Sequence, residues 1–266
     1  MLTELADGTR IYAHTGGVDF DPSLPVVVLI HGAGVDHTFW RGQTRYLAHH
    51  GFAPLAIDLP GHGRSGGSAG DTIEQRSDAV GALLDELGVA SAAVAGHSMG
   101  SLVALDLAAR FPRRVSGIVL LATSPRMAVH PVLIESARAG DERCLALTRA
   151  WQYGSPVGGD AEPGTWRAGV NWRLTESVGL DVYADDFVAC DTWEAAAARA
   201  GAVTCPAVVV SGSADRMTTA RAGAAMAELL GCEHVVLDDG HMFPQTSPAE
   251  TTRLLTVFLR AANPGL

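Results

Sequence analysis

The chain has 266 residues, and its 29 Asp and Glu outnumber 19 cationic residues to leave a formal charge of −10. Every cation is Arg, so lysine Schiff-base chemistry and Walker-type phosphate binding are excluded, and the acidic balance lacks the basic footprint that nucleic acids and anionic membranes require. Hydrophobic residues make up 47% and charged residues 18%, which suits a packed core rather than a disordered chain.

Leu2–Leu5 and Arg10–His14 read as an antiparallel hairpin on a sheet edge, turning at Asp7-Gly8. Short apolar runs then alternate with helix-length amphipathic stretches, the pattern of a parallel sheet covered on both faces. The expected strands are Val26–Ile30, Ala53–Leu59, Ala92–Ala95, Gly117–Ala122, Ala207–Ser211 and His234–Leu237. Helices are expected near Trp40–His49, Ile73–Leu87, Ser98–Arg110, Arg221–Leu230 and Ala249–Leu259.

One interval breaks the alternation. From Ser124 to about Ala202 there is only helical periodicity, interrupted by Gly154, Pro156, Gly158-Gly159 and Pro163-Gly164. It holds four of the five tryptophans, Trp151, Trp166, Trp172 and Trp193, with Tyr153 and Tyr183. This enrichment suggests a helical cap (124–202) on a sheet domain made of 1–123 and 203–266, with Trp151 a candidate for the pocket wall. The competing reading makes these aromatics the cap's own small core.

Cys144, Cys190, Cys205 and Cys232 are widely spaced and form no C-x-x-C, which favours free, mostly packed thiols. The first residues carry Glu4, Asp7 and Arg10 and no apolar centre of a signal peptide, and the apolar runs are too short to cross a bilayer. A cytoplasmic protein is expected, acting on a small molecule, with no nucleic-acid or membrane partner; the sequence assigns no oligomeric state.

The chemistry concentrates at Gly96-His97-Ser98-Met99-Gly100, a G-x-S-x-G between a strand end and a helix start. A sharp strand-to-helix turn lifts the serine hydroxyl clear of the sheet, and the helix N-terminal amides point at it. A serine needs a base, and the base needs a carboxylate to orient it. Asp215 follows the strand Ala207–Ser211, and His241 follows His234–Leu237, each just past a strand's carboxyl end, where sites gather in parallel sheets. Asp238 and Asp239 lie too near His241 along one segment to orient its ring.

With His31-Gly32-Ala33-Gly34, Asp58-Leu59-Pro60-Gly61-His62-Gly63-Arg64-Ser65, Gly96–Gly100, Gly212–Asp215 and Gly240-His241 in that order, the sequence resembles the α/β-hydrolase superfamily over nearly all the chain except the cap. The resemblance implies an α/β fold with a mostly parallel eight-stranded sheet flanked by helices and a cap inserted after the sixth strand. It also implies a Ser–His–Asp hydrolase without metal or organic cofactor. By that likeness the N–H groups of Ala33 and Met99 form the oxyanion hole, with Gly34 the alternative if the loop register differs by one. The family's other acid position, after the sixth strand, holds Thr123-Ser124 and cannot serve.

Two competing signals are weaker. Gly61–Gly66 matches G-x-G-x-x-G, but it follows Pro60 and runs into more loop, so a structural turn is favoured over a dinucleotide site. The ten histidines form no H-x-x-x-H or H-x-H, which leaves no metal assigned; His31, His62 and His97 are expected to make structural hydrogen bonds, and His37 is ambiguous.

Two departures limit the subfamily: Ser101 stands where many relatives have Gly, and Met242-Phe243-Pro244-Gln245 is diagnostic of none. Trp40, Met99, Met242 and Phe243 are expected to supply apolar walls, with Gly34 and Trp151 beside them, favouring a small carboxylic ester of low polarity. The alternatives are a β-diketone-type carbon–carbon or enol-lactone hydrolase, a cofactor-free haloperoxidase or perhydrolase, and a slow ligand-binding receptor.

Overall fold

A computed structural model describes residues 1–153 and 166–262. The elements in chain order are β1 (Leu2–Glu4), β2 (Arg10–His14), β3 (Val26–Ile30), α1 (Arg41–Ala48), β4 (Ala53–Ile57), α2 (Ile73–Glu86), β5 (Ala92–His97), α3 (Met99–Arg110) and β6 (Val115–Leu121). After them come α4 (Pro131–Arg138), α5 (Arg143–Gln152), α6 (Arg167–Val178), α7 (Leu180–Thr192), α8 (Ala196–Ala200), β7 (Ala207–Gly212), α9 (Ala220–Leu230), β8 (Glu233–Leu237), α10 (Phe243–Thr246) and α11 (Pro248–Ala262). The eight strands form one sheet in the order β1-β2-β4-β3-β5-β6-β7-β8, antiparallel at the β1–β2–β4 edge and parallel from β4 to β8.

The alternation of side chains along each strand builds two cores. In β3, Val26, Val28 and Ile30 face the layer containing α2 and α3, and Val27 and Leu29 face the layer containing α1 and α11. Both faces are buried, which is why β3 and β4 read as continuous apolar runs. Helix α2 starts at a capping box, the Thr72 hydroxyl accepting from Gln75 N–H while the Gln75 side chain reaches back. Among the described residues, helices α4 to α8 lie between β6 and β7. Leu133, Leu145, Tyr183 and Phe187 share an apolar cluster there, whereas Cys190, Trp193 and Ala196 are buried in the main core. The Gly- and Pro-rich stretch 154–165 lies outside the described residues. Among the described residues, no helix is long and apolar enough to cross a membrane.

Helix α3 packs against the sheet more closely than a side chain would allow. A Cβ on Gly96 would stand 2.0 Å from the Gly100 carbonyl oxygen, and one on Gly100 would stand 2.5 Å from the carbonyl oxygens of both Ile30 and His31. Two buried histidines brace the loops above this contact. His31 donates from Nδ1 to the Gly32 carbonyl (2.8 Å) and accepts the Leu59 N–H at Nε2 (3.1 Å), an arrangement open only to the neutral ring. His97 donates from Nε2 to the His241 carbonyl (2.9 Å). Burial pushes His31 down to about 4 and His97 down to about 3, with neighbouring His62 and His241 adding to the effect.

Two stability predictions follow from these contacts. Gly100→Ala forces the β3–α3 contact apart and is expected to cost about 3 kcal/mol or more in urea unfolding. Gly81→Ala, in α2 with its nearest neighbour 3.9 Å away at Leu107 Cδ1, gains on the order of 0.5–1 kcal/mol by comparison. Below the ordinary histidine pKa, the unfolded chain takes up protons that folded His31 and His97 refuse. Stability from these two rings is therefore complete above pH 6.5 and falls as the pH drops toward 4, by on the order of 3 kcal/mol each. Melting temperatures at pH 6.5, 5 and 4 test this, and His97→Gln should flatten the slope; an unchanged slope removes His97 from the account.

Candidate active site

Ser98 sits between β5 and α3 with φ +52° and ψ −120°, a backbone state that L-residues adopt only when their surroundings impose it. Its N–H donates to the Leu121 carbonyl (2.9 Å), and its own carbonyl accepts from Ser101 N–H (2.8 Å) and Ser101 Oγ (2.6 Å). Ser101 Oγ also donates to Thr123 Oγ1 (2.9 Å), so the serine that departs from the family pattern ties the elbow to the loop after β6.

Asp215 and His241 lie in the loops after β7 and β8. Asp215 Oδ1 accepts the N–H groups of Met217 (2.7 Å) and Thr218 (2.9 Å), and Oδ2 accepts Thr218 Oγ1 (2.8 Å) and His241 Nδ1 (2.7 Å). Burial acts to raise the Asp215 carboxyl, but His241 and the Thr218 donors outweigh it and hold the group below the usual carboxylate range. Donation from Nδ1 fixes the tautomer of His241 and leaves Nε2 as its basic nitrogen. The His241 N–H donates to the Gln152 carbonyl at the end of α5 (3.0 Å), so a helix between β6 and β7 holds the histidine loop. Asp239 is engaged by Gly240 N–H, Thr246 Oγ1 and Ser247 Oγ, and Asp238 by Ser213 Oγ; neither reaches the ring.

Ser98 and His241 line one narrow cavity of about 70 Å³, together with Gly32 and Ala33. Met127, Val129, Tyr183 and Phe187 supply much of its apolar wall. Gln152 and Thr218 add polar edges, and among the described residues no Arg lines it. The 154–165 stretch contains Asp160 and Glu162 but no Arg, Lys or His.

Of the six residues expected at or beside a substrate wall, Met242 lines this cavity and five lie elsewhere. Trp40, just before α1, is fully buried in the core, edge-to-face with Phe39 at 5.1 Å. Phe243 is also fully buried and stands edge-on to His97 at 6.3 Å, propping that ring from below. Trp151 packs on the α4–α7 cluster, and its neighbour Gln152 faces the cavity instead. Gly34 cannot act as the alternative oxyanion donor, since its N–H donates to Asp186 Oδ2 (2.8 Å). Ala33 remains on the cavity, and Met99 opens α3, where first-turn N–H groups have no intrahelical acceptor. Met99's side chain is buried in the main core, away from the expected wall.

The other motifs resolve into local hydrogen bonding. Asp58 Oδ1 accepts His37 N–H (2.6 Å) and Nδ1 (2.8 Å), and Oδ2 accepts Arg64 N–H (2.8 Å), so the Gly61–Gly66 turn closes on Asp58 and His37 serves the loop. Ligand-type atoms of Asp36, His37 and Asp58 lie within 4.8 Å of one another, but Asp36 caps Thr38 and the Asp58 carboxylate is taken by N–H donors. All four cysteines are free, Cys144 and Cys190 buried.

Sequence comparison agrees with this architecture. A family described as "Alpha/beta hydrolase family" matches residues 27–254. The lipase LipV of Mycobacterium tuberculosis is 31% identical over 260 residues, covering 89% of this chain and 94% of the lipase. A pimeloyl-[acyl-carrier protein] methyl ester esterase of Aromatoleum aromaticum is 44% identical over 107 residues, 40% of each protein. The chain spans about half or less of the length of several curated relatives that it matches. Among solved structures, the enol-lactonase of Burkholderia xenovorans LB400 superposes with a TM-score of 0.85 at 27% identity, covering 97% of this chain and 99% of that one. With its eight-stranded sheet, its elbow and these relatives, the chain belongs to the alpha/beta hydrolase family.

Proposed function

We propose that this hydrolase cleaves a small, uncharged carboxylic ester through Ser98, His241 and Asp215. The observation that carries the reading is the convergence of a serine on a strained elbow and an Asp-oriented histidine on one cavity beside Ala33. In the proposed reaction Ser98 Oγ attacks the ester carbonyl carbon while His241 Nε2 takes the hydroxyl proton. The carbonyl oxygen becomes an oxyanion held by the Ala33 and Met99 N–H groups, each worth roughly 3 kcal/mol in the transition state. The carbon–oxygen bond to the alcohol then breaks, and the alcohol leaves with the proton from His241. Water, deprotonated by the same nitrogen, attacks the acyl-enzyme and releases the acid and Ser98. Asp215 keeps Nδ1–H in place and stabilises the imidazolium at each stage. Free thiols accompany a proposed cytoplasmic location.

A second reading, hydrolysis of an enol-lactone, is supported by the likeness to the enol-lactonase. The same atoms would open a ring ester, with the leaving enol staying attached to the acid.

Two experiments bear on the reading. Ser98→Ala is expected to lower kcat on p-nitrophenyl acetate by about 10⁴-fold or more and to abolish labelling by a fluorophosphonate. Labelling or turnover that survives the substitution sinks the assignment. Among the described residues no Arg lines the cavity, so an acyl chain ending in a carboxylate enters with its charge unpaired. Its kcat/KM should fall about 10²-fold or more below that of the methyl-terminated chain of equal length. Equal rates on the two would show that a cation reaches the substrate and would reopen the class of acyl group.

A further inference from the structure

One buried ionic cluster takes no part in the proposed chemistry yet touches the loop on which that chemistry depends. Asp186, on α7, is fully buried. Its Oδ1 accepts Arg76 NH2 (2.8 Å) from α2. Its Oδ2 accepts His62 Nε2 (2.9 Å) from the turn after β4 and the Gly34 N–H (2.8 Å) from the loop after β3. Arg76 is fully buried as well, and its NH1 donates to the Thr72 carbonyl (3.1 Å). His62 Nδ1 donates to the Pro60 carbonyl (3.0 Å), so both of its ring nitrogens act as donors and the ring is an imidazolium. One carboxylate between two cations thus joins four segments far apart in sequence.

A cluster like this contributes little net stability, because apolar residues of similar volume serve a core as well or better. Its third ligand is what sets it apart. The Gly34 N–H belongs to the same peptide plane as the Ala33 carbonyl, so its hydrogen bond to Asp186 fixes the orientation of that plane. Gly34 has φ +67°, and a Cβ there would stand 2.5 Å from Tyr183 Cδ2 and 2.9 Å from Thr175 Cγ2. The loop is therefore pressed against α6 and α7 as well as hydrogen-bonded to α7, and Tyr183 also lines the cavity.

We propose that Asp186 is a positioning residue: from its place in the α4–α8 segment it clamps the Ala33–Gly34 peptide, holding the Gly34 N–H on its own carboxylate and anchoring Ala33, so that the Ala33 N–H in the adjoining Gly32–Ala33 peptide serves the developing oxyanion. The inference rests on the serine-hydrolase reading for its catalytic consequence, although the clamp itself is a structural statement that can be read without activity. His62 and Arg76 hold the carboxylate ionised. Burial acts to raise the Asp186 carboxyl, yet these two cations and the Gly34 N–H bring it down to about 2, while Asp186 raises His62 against its own burial.

The test pairs hydrogen exchange with kinetics. In the wild-type protein the Gly34 amide should be protected from exchange; rapid exchange at Gly34 overturns the clamp whether or not the protein hydrolyses esters. The double variant Asp186→Leu with Arg76→Met leaves no unpaired buried charge, since His62 then loses its proton. It should fold, lose protection at Gly34, and lower kcat on p-nitrophenyl acetate about 10- to 100-fold with KM within threefold. Asp186→Asn keeps an acceptor for Gly34 and should hold kcat within about fivefold with Gly34 still protected. A folded double variant with unchanged kcat overturns the proposal. If the double variant does not fold, Asp186→Asn decides: a large fall in kcat with Gly34 still protected overturns it, and retained kcat with protection supports it. A wild-type protein inert to esters and to fluorophosphonate sinks the serine-hydrolase reading instead, and the exchange experiment still reports on the clamp.

Discussion

The site depends on how closely α3 approaches the sheet. The space that a Cβ would need at Gly96 and Gly100 is already filled by the backbone of α3, β3 and the loop after it. That contact leaves the chain no unstrained way to pass from β5 into α3, and Ser98 takes the strain as a positive φ. Strain of this kind persists only where surrounding structure over-determines it. Here the constraint includes Ser101, which is hydrogen-bonded to the Ser98 carbonyl and to Thr123, and the two neutral histidines that hold the flanking loops. The carboxyl edge of the sheet thereby becomes a rigid rim on which Ser98, Asp215 and His241 are placed from three separate loops.

Much of this rim is legible in the sequence because its causes are local. Val26–Ile30 coincides residue for residue with β3, since a strand buried on both faces has no polar interruption to blur its ends. Strand β6 begins at Val115, two residues before the expected Gly117, because pairing with β5 continues past a register shift at Ala92/Ala93. Asp215 and His241 follow strand ends closely enough for chain order alone to place them beside the elbow.

The cavity wall was not legible, and the reason is physical. Tyr183, Phe187 and Cys190 recur on α7 at the spacing of an ordinary buried stripe, and helical periodicity says that a face is buried without saying what it faces. Trp40 lies off the wall for the converse reason: an aromatic close in sequence to the loop after β3 is fully buried with Phe39, Leu47 and Leu255 in the core beneath α1 and α11. Asp186 was missed although a signal was present. It lies on the same face as Tyr183 and Cys190, and an acidic residue in an apolar stripe implies a buried partner; that partner is 110 residues away at Arg76 and 124 away at His62.

These contacts bear on how one scaffold varies its substrate while retaining its chemistry. Helices between β6 and β7 supply much of the wall, so changing them changes what fits. They are also fastened to the two loops whose backbone matters most. The Gln152 carbonyl accepts the His241 N–H, and the Asp186 carboxylate accepts the Gly34 N–H. Asn171 adds a side-chain pair with Gln245 on α10, just beyond His241. Phe187, on the cavity side of α7, shapes the wall, whereas Tyr183 also presses on Gly34, and Asp186 and the Gln152 carbonyl hold the loops that carry Ala33 and His241. The wall is therefore free to diverge between its fastenings, and the fastenings are where a change of substrate meets the requirement to keep the rim in register.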